Sequence, residues 1–175
     1  MPTPEAAGPE LVAIYAMTEN RVIGRDGGMP WHLPADFAHF RRLSVGKPNI
    51  MGRKVWESLG GQALKNRLNI VLTRNPDFQA QGAVAVHAPE EALKAAGEAS
   101  EIAIIGGAEI YKLYADQLTR REETIIHTVL EGDTFMPELP GEWELVSETF
   151  RPADDKNKYD LTFRTLSRVP TRQEG

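Results

Sequence analysis

Hydrophobic positions along the chain form two kinds of run. Residues 11–17 (LVAIYAM), 68–73 (LNIVLT) and 102–105 are continuous apolar stretches without polar alternation, as expected for strands buried on both faces of a largely parallel sheet. Residues 49–53 and 83–86 predict shorter strands. The second kind of run recurs at helical spacing. Phe37, Phe40 and Leu43 mark one face of a helix over 34–44, opened by Pro34, whose missing N–H costs nothing at the first helical position. Further helices are predicted over 55–59, 89–96 and 108–115.

The last third of the chain changes character. Residues 123–130, 143–150 and 159–166 are strand-like with no helix between them, which predicts antiparallel pairing at one side of the sheet. Strand and helix alternate early and strands alone come late, so the fold class is α/β with a mixed, mostly parallel sheet. Between the first strand and the first helix lies a long turn-rich segment, residues 18–33, with three glycines. A loop of that length inside a compact domain is usually functional, and it is a lid candidate. The 175 residues suit one domain, expected over 10–168, with a flexible tail at 1–9 and a second tail at 169–175.

Composition narrows the function. A hydrophobic share of 41% with 26% charged residues describes a folded globular chain. Twenty basic against twenty-five acidic residues give a charge of -5, with no Lys/Arg run, which argues against a nucleic-acid partner. There is no cysteine, so thiol nucleophiles, disulfides and zinc–thiolate sites are excluded. No apolar stretch approaches the ~18 residues of a membrane span, and residues 1–9 lack the basic and apolar regions of a secretory leader. A cytoplasmic address is expected.

Candidate chemistry gathers where predicted strands end. In IAIIGGAEIY an apolar strand meets Gly106-Gly107 and a helix starts at once; free N–H groups and close glycine backbone suit a phosphate there, although a plain strand-to-helix turn has the same sequence. Neither a G-x-G-x-x-G nor a Walker A pattern is present. Gly52, Arg53 and Lys54 follow a second strand, and Thr73 with Arg74 a third. Ligands of open α/β sheets lie beyond the carboxyl ends of the strands, so together the three clusters point to a ligand with several phosphates, such as a dinucleotide. Asp36, in the first turn of its helix, either favours the helix dipole or, next to Phe40, offers two oxygens to an amidine-like heterocycle edge. His32, His39, His87 and His127 show no compact metal spacing, and no G-x-S-x-G elbow exists.

Four blocks in order, ENRVIGRDGGMPWHLPADF, IMGRKVWESL, RLNIVLTR and IIGGAEIY, followed by EGDTFMP, closely resemble dihydrofolate reductase of the single-chain bacterial type, from about residue 11 to residue 166. The resemblance implies an eight-stranded mixed sheet with an antiparallel C-terminal strand, flanked by about four helices. It also implies NADPH-dependent reduction of 7,8-dihydrofolate to tetrahydrofolate by a monomer that antifolate-type molecules would also bind. By the same resemblance Asp36 binds the amino and N3 edge of the pterin, with Thr124 in its network. Ile14, Phe40 and Leu59 pack on the pterin and benzoyl rings. Arg67 pairs with the glutamate carboxylate, a task for a two-pronged guanidinium. Met29 and Trp31 belong to the mobile loop that closes over the nicotinamide and are expected, with Asp36, to serve catalysis.

For NADPH, the resemblance implies that Ala16, Ile23 and Gly24 line the nicotinamide site. Gly106, Gly107, Ala108, Glu109, Ile110 and Tyr111 flank the pyrophosphate and nicotinamide. Gly52 and Val55 belong to the adjoining turn, and Arg53, Lys54, Thr73 and Arg74 take the adenosine 2′-phosphate. A cis peptide between Gly106 and Gly107 is implied as well. Three positions depart from the family pattern: Val55 replaces a threonine, Lys65-Asn66 a Pro-Gly, and Ala108 a frequent third glycine. Alternatives are a riboflavin-pathway-type reductase on the same fold, which should not require Asp36 with Arg67, and a catalytically silent nucleotide-binding module.

Overall fold

The computed structural model describes residues 8–170; most of each expected tail, 1–7 and 171–175, lies outside the described residues. In chain order the elements are β1 (Glu10–Thr18), β2 (Val22–Gly24), α1 (Pro34–Ser44), β3 (Asn49–Gly52), α2 (Arg53–Ser58), β4 (Asn69–Leu72) and β5 (Val84–Val86). There follow α3 (Pro89–Ala95), β6 (Glu101–Ile104), α4 (Ala108–Leu113), β7 (Arg120–Ile126), β8 (Thr134–Phe135), β9 (Trp143–Arg151) and β10 (Leu161–Arg168). Eight strands form one sheet in the order β5-β4-β3-β6-β1-β7-β10-β9, and β2 pairs with β8 in a separate two-stranded ribbon.

The continuous apolar run of β1 reflects its central place between β6 and β7, both parallel to it. Alternate side chains go to opposite faces. Leu11, Ala13, Tyr15 and Met17 join a core with Ile104, Ile110 and Tyr114, beneath α3 and α4. Val12 and Ile14 face the other way, where Phe40 and Leu43 of α1 pack on them. Met51, Val71 and Trp56 of α2 extend that second face. Of the three apolar positions expected to bury α1, Phe37 stays 39% exposed.

Three expectations are corrected. Residues 18–33 are not all loop: Val22–Gly24 pairs antiparallel with Thr134–Phe135, a contact between segments far apart that no local pattern reveals. Strand β7 begins at Arg120, ahead of the expected residue 123, and ends at Ile126. Its charged opening, RREE, masks a strand because each carboxylate is buried against a guanidinium. Strand β7 is also parallel to β1 on one side and antiparallel to β10 on the other, so only its outer side takes the expected antiparallel pairing. Finally, α2 starts at Arg53, directly after Gly52, so the strand-to-helix turn has no spare residue.

Candidate functional site

The parallel registers bring three strand ends level. Gly52 stands opposite Leu72, the Gly52 N–H donates to the Gly106 carbonyl at 2.8 Å, and the Ile105 N–H donates to the Ile50 carbonyl at 3.0 Å. The predicted clusters at 52–54, 73–74 and 106–111 therefore share one edge of the molecule. The Gly106–Gly107 peptide is cis, and Gly106 takes φ 109°. Its glycine identity has a steric reason: a Cβ at Gly106 would lie 3.1 Å from the Tyr111 hydroxyl, and one at Gly52 would lie 3.1 Å from Ile110 Cγ1. That hydroxyl is committed, donating to the Ile14 carbonyl at 2.7 Å, and burial holds its pKa far above the ordinary phenol value.

Asp36 enters from α1. Leu33 is the N-cap residue and Pro34 the first helical residue, so Asp36 falls in the opening turn. Its carboxyl keeps a partial opening to solvent, yet most of its surroundings are protein, and burial pushes its pKa up to about 6 against a small opposing effect from the Thr124 hydroxyl. No Lys or Arg lies within 4.0 Å of it among the described residues. Thr124, on β7, is buried beside Ala16 of β1 and Phe163 of β10. A carboxylate in this setting lacks a charge partner and has oxygens to offer.

Apolar side chains of α1 and α2 gather on the same side of the sheet. Phe40 packs with Ile14, Leu59 packs with Met51 and Trp56, and Ile105 touches both groups. Ile105 was not among the predicted site residues; its signal was its place as the last apolar residue before Gly106. Further along that side Arg67 donates to the Ser44 hydroxyl at 2.7 Å and to the Lys65 carbonyl at 2.8 Å, with no carboxylate partner among the described residues. Burial and then the nearby Arg41 charge lower its pKa somewhat. The Lys65-Asn66 departure keeps the turn: Asn66 takes φ 63°, a left-handed conformation that asparagine tolerates. Asn69 pins the same loop, bonding both the N–H and the carbonyl of Leu64 at 2.9 Å.

The segment expected to form a lid divides. Trp31 is buried with Leu33, Val22, Ile126 and Leu161, whereas Met29 is 48% exposed. Ile23 and Gly24 lie on the ribbon strand β2, half-buried. The ribbon is docked by residues that the sequence reading did not assign. The Asp133 carboxylate accepts the Asp26 N–H at 2.8 Å, and the Asp133 N–H donates to the Gly24 carbonyl at 3.1 Å. The Asp26 N–H first, and then the Thr134 hydroxyl, keep the Asp133 carboxyl below its usual range. At Gly132 any Cβ would collide with Val22 Cγ1 and sit 2.7 Å from the Gly24 carbonyl.

At the basic edge, Arg53, Lys54 and Arg74 are exposed and Thr73 is half-buried. Arg53 lies 3.8 Å from Glu57 and stacks over Phe78 at 5.2 Å. Arg74 has no acid within 4.0 Å among the described residues. Val55 turns its side chain into the Met51–Trp56–Val71 core, which accounts for an apolar residue at that position. Glu109 is exposed, and Ala108 opens α4 behind Gly107, where an added Cβ would meet nothing within 4 Å. The four histidines form no metal cluster with other groups among the described residues.

The chain thus offers a lone acid beside Thr124, apolar side chains of α1 and α2, and a row of exposed cations at the strand ends. Comparison with known proteins agrees over almost the same span. A family model described as dihydrofolate reductase matches residues 10–168. The chain is 46% identical over 156 residues to dihydrofolate reductase of Haemophilus influenzae, covering 89% of this chain and 96% of that protein. It is 43% identical over 166 residues to the Bacillus subtilis dihydrofolate reductase, covering 93% and 96%. A solved structure of Enterococcus faecalis dihydrofolate reductase, complexed with NADP(H) and RAB-propyl, superposes with a TM-score of 0.88 at 37% identity, over 92% of this chain and 97% of that one. With fold, strand-end clusters and sequence all agreeing, this chain belongs to the dihydrofolate reductase family.

Proposed function

We propose that the chain reduces 7,8-dihydrofolate to 5,6,7,8-tetrahydrofolate with NADPH. The observation that carries this reading is Asp36, a largely buried carboxylate without a cationic partner among the described residues. A 2-amino-4-oxo heterocycle presents two N–H donors on one edge, spaced for two carboxylate oxygens. Arg67, with Nη2 left over after its Nε and Nη1 bonds to Lys65 and Ser44, supports recognition of the glutamate tail of the same substrate. A riboflavin-pathway substrate would leave both unused. Antifolate-type molecules that carry the same donor edge would compete for Asp36.

The donor set fits NADPH. Arg53 and Thr73 follow strand ends in register, with Lys54 and Arg74 beside them, so three cations and a hydroxyl can surround the 2′-phosphate. The open space at Gly107 lets a pyrophosphate approach the backbone. When bound, NADPH supplies the hydride that reaches C6 of the pterin. Such attack is easy only once N5 carries a proton, since otherwise negative charge builds on the ring. Asp36 favours the protonated ring through a fixed negative field in a site of low dielectric, and a water serves as the immediate proton donor. Trp31 and the docked β2–β8 ribbon restrict solvent on the nicotinamide side.

One chain supplies every group in this scheme, which supports a monomer as the working unit, and a cysteine-free chain fits a reducing cytoplasm. The test is loss of absorbance at 340 nm with dihydrofolate, comparing NADPH with NADH. A clear preference for NADPH is expected; equal use of both would remove the phosphate assignment, and no turnover with either would remove the reaction.

A further inference from the structure

Between β9 and β10 the chain crosses a loop in which residues 152–156 and Lys158 are all exposed, yet Asn157 is only 3% exposed. A buried amide in a solvated loop has a specific destination. Its Oδ1 accepts the Ala35 N–H at 2.9 Å, across 122 residues of chain. In the opening of α1 that donor is the one left over. Leu33 offers no capping side chain, Pro34 has no N–H, and the N–H groups of Asp36 and Phe37 both turn back to the Leu33 carbonyl at 3.0 and 3.2 Å.

Asn157 is itself held. Its Nδ2 donates to Asp154 Oδ1 at 3.0 Å, and the same oxygen accepts the backbone N–H groups of Lys156 at 2.9 Å and Asn157 at 2.8 Å. Asp154 Oδ2 pairs with Arg151 at 3.0 Å. The Asp160 carboxylate accepts the Ala153 N–H at 2.7 Å, and the Asp160 carbonyl accepts the N–H of His127, the residue after β7, at 2.9 Å, fastening the loop to the end of that strand. The Asn157 amide, with Arg151 next, holds the Asp154 carboxyl far below the usual carboxylate range, so this chain of bonds does not titrate where Asp36 does. The apolar packing of Trp31 and Leu33 fixes the depth of the first turn, but dispersion is non-directional; among the described residues the single directed bond from outside α1 to the backbone of that turn is the one from Asn157.

We infer that Asn157 is a positioning residue for substrate: held by Asp154 and Arg151, it fixes the first turn of α1 and thereby the aim of the Asp36 carboxylate at Thr124 and the pterin edge. The inference rests on the reading of Asp36 as the substrate anchor. Groups facing Asp36 from the packed elements are the Thr124 hydroxyl on β7 and the Tyr111 hydroxyl on α4. Without the Asn157 bond the turn can splay, which admits water to Asp36 and misdirects its oxygens.

The test compares Asn157→Ala and Asp154→Ala with the unaltered chain. Asn157→Ala should raise KM for dihydrofolate about tenfold with a smaller change in kcat, and leave the Kd of NADPH, read by fluorescence titration, unchanged. The carboxyl carbon of Asp36, followed by NMR without ligands, should titrate closer to the ordinary carboxylate range. Asp154→Ala should move both readouts the same way, by less; because Asp154 is exposed, it carries the test if Asn157→Ala does not fold. A merely structural role would lower the melting temperature and move neither readout, and that outcome overturns the inference. An unaltered chain that fails to reduce dihydrofolate, while the Asp36 titration still moves in the variants, would remove the substrate reading and keep the positioning role.

Discussion

At neutral pH Asp36 is mostly ionised in surroundings that favour its neutral form. Burial raises its pKa from 3.8 to about 6 in the folded chain, so the native state holds the proton more tightly than the unfolded chain does. Its contribution to stability is fully present below about pH 3.8 and is lost as the pH rises through about 6. At roughly 1.4 kcal/mol per pKa unit, the loss at high pH is on the order of 1–3 kcal/mol. Asp36→Asn should therefore be more stable than the unaltered chain by about that amount at pH 8 and by little at pH 4, in urea unfolding at the two pH values. The same variant should lose on the order of 10²-fold or more in kcat/KM for dihydrofolate at pH 7, as the removal of a charge aimed at a reacting centre commonly does. Equal stability at both pH values would mean that solvent reaches the carboxyl freely, and near-normal turnover would take away its role.

Among the elements, those that announce themselves locally are the ones the sequence displays. The apolar run of β1, the proline that opens α1 and the glycines at 52 and 106 are each a short-range signal, and the strand ends that they define carry candidate site residues. From that edge comes one prediction. Arg74→Ala should raise KM for NADPH about tenfold and leave NADH kinetics unchanged, since an exposed cation without a competing acid acts chiefly on the added phosphate. A proportional loss with both cofactors would place Arg74 outside the 2′-phosphate site. The β2–β8 ribbon, by contrast, has no local signature: its two short strands pair Val22 with Phe135 and Gly24 with Thr134, and the Asp133–Asp26 bond beside them spans 107 residues. Gly132 gives the reason for the close approach, because any Cβ would strike Val22. Gly132→Ala should undock the ribbon at a cost of about 1–3 kcal/mol, as overpacking does elsewhere. Hydrogen exchange at residues 22–24 should then speed up more than in β1; uniform protection would show that the ribbon absorbs the extra methyl.

Across the whole molecule, the sheet joins a parallel half to an antiparallel half, and the joint is β7. It carries two adjacent buried carboxylates that go to opposite faces. Glu122 bonds Arg120, which reaches Glu10 and Glu101 on β1 and β6. Glu123 accepts the Tyr15 hydroxyl at 2.7 Å, pairs with Arg164 of β10 at 3.0 Å, and lies 3.3 Å from Arg121, whose guanidinium stacks on Trp143 of β9 at 5.0 Å. Single residues could not advertise this, since Arg120 to Glu123 reads as a solvated charge run until β1 and β10 close over it; the same is true of Asn157, whose only sign of importance is the distant N–H it accepts. A buried ion network is weak evidence of net stability, but removal of one member leaves the others desolvated and unpaired, at a cost of about 3–5 kcal/mol. Glu123→Gln leaves Arg164 with the 3.9 Å contact to Glu148 alone and takes the carboxylate from Arg121, while it keeps shape and volume. We expect it to lower the unfolding free energy by about 3 kcal/mol, with an unchanged denaturant slope, because the same surface is exposed when the sheet opens as one unit. A loss below about 1 kcal/mol would mean that water replaces the carboxylate in the joint. A reduced slope would instead mean that β9 and β10 separate from the parallel half before it unfolds, so that the two halves are held together less by the sheet than by this one side chain.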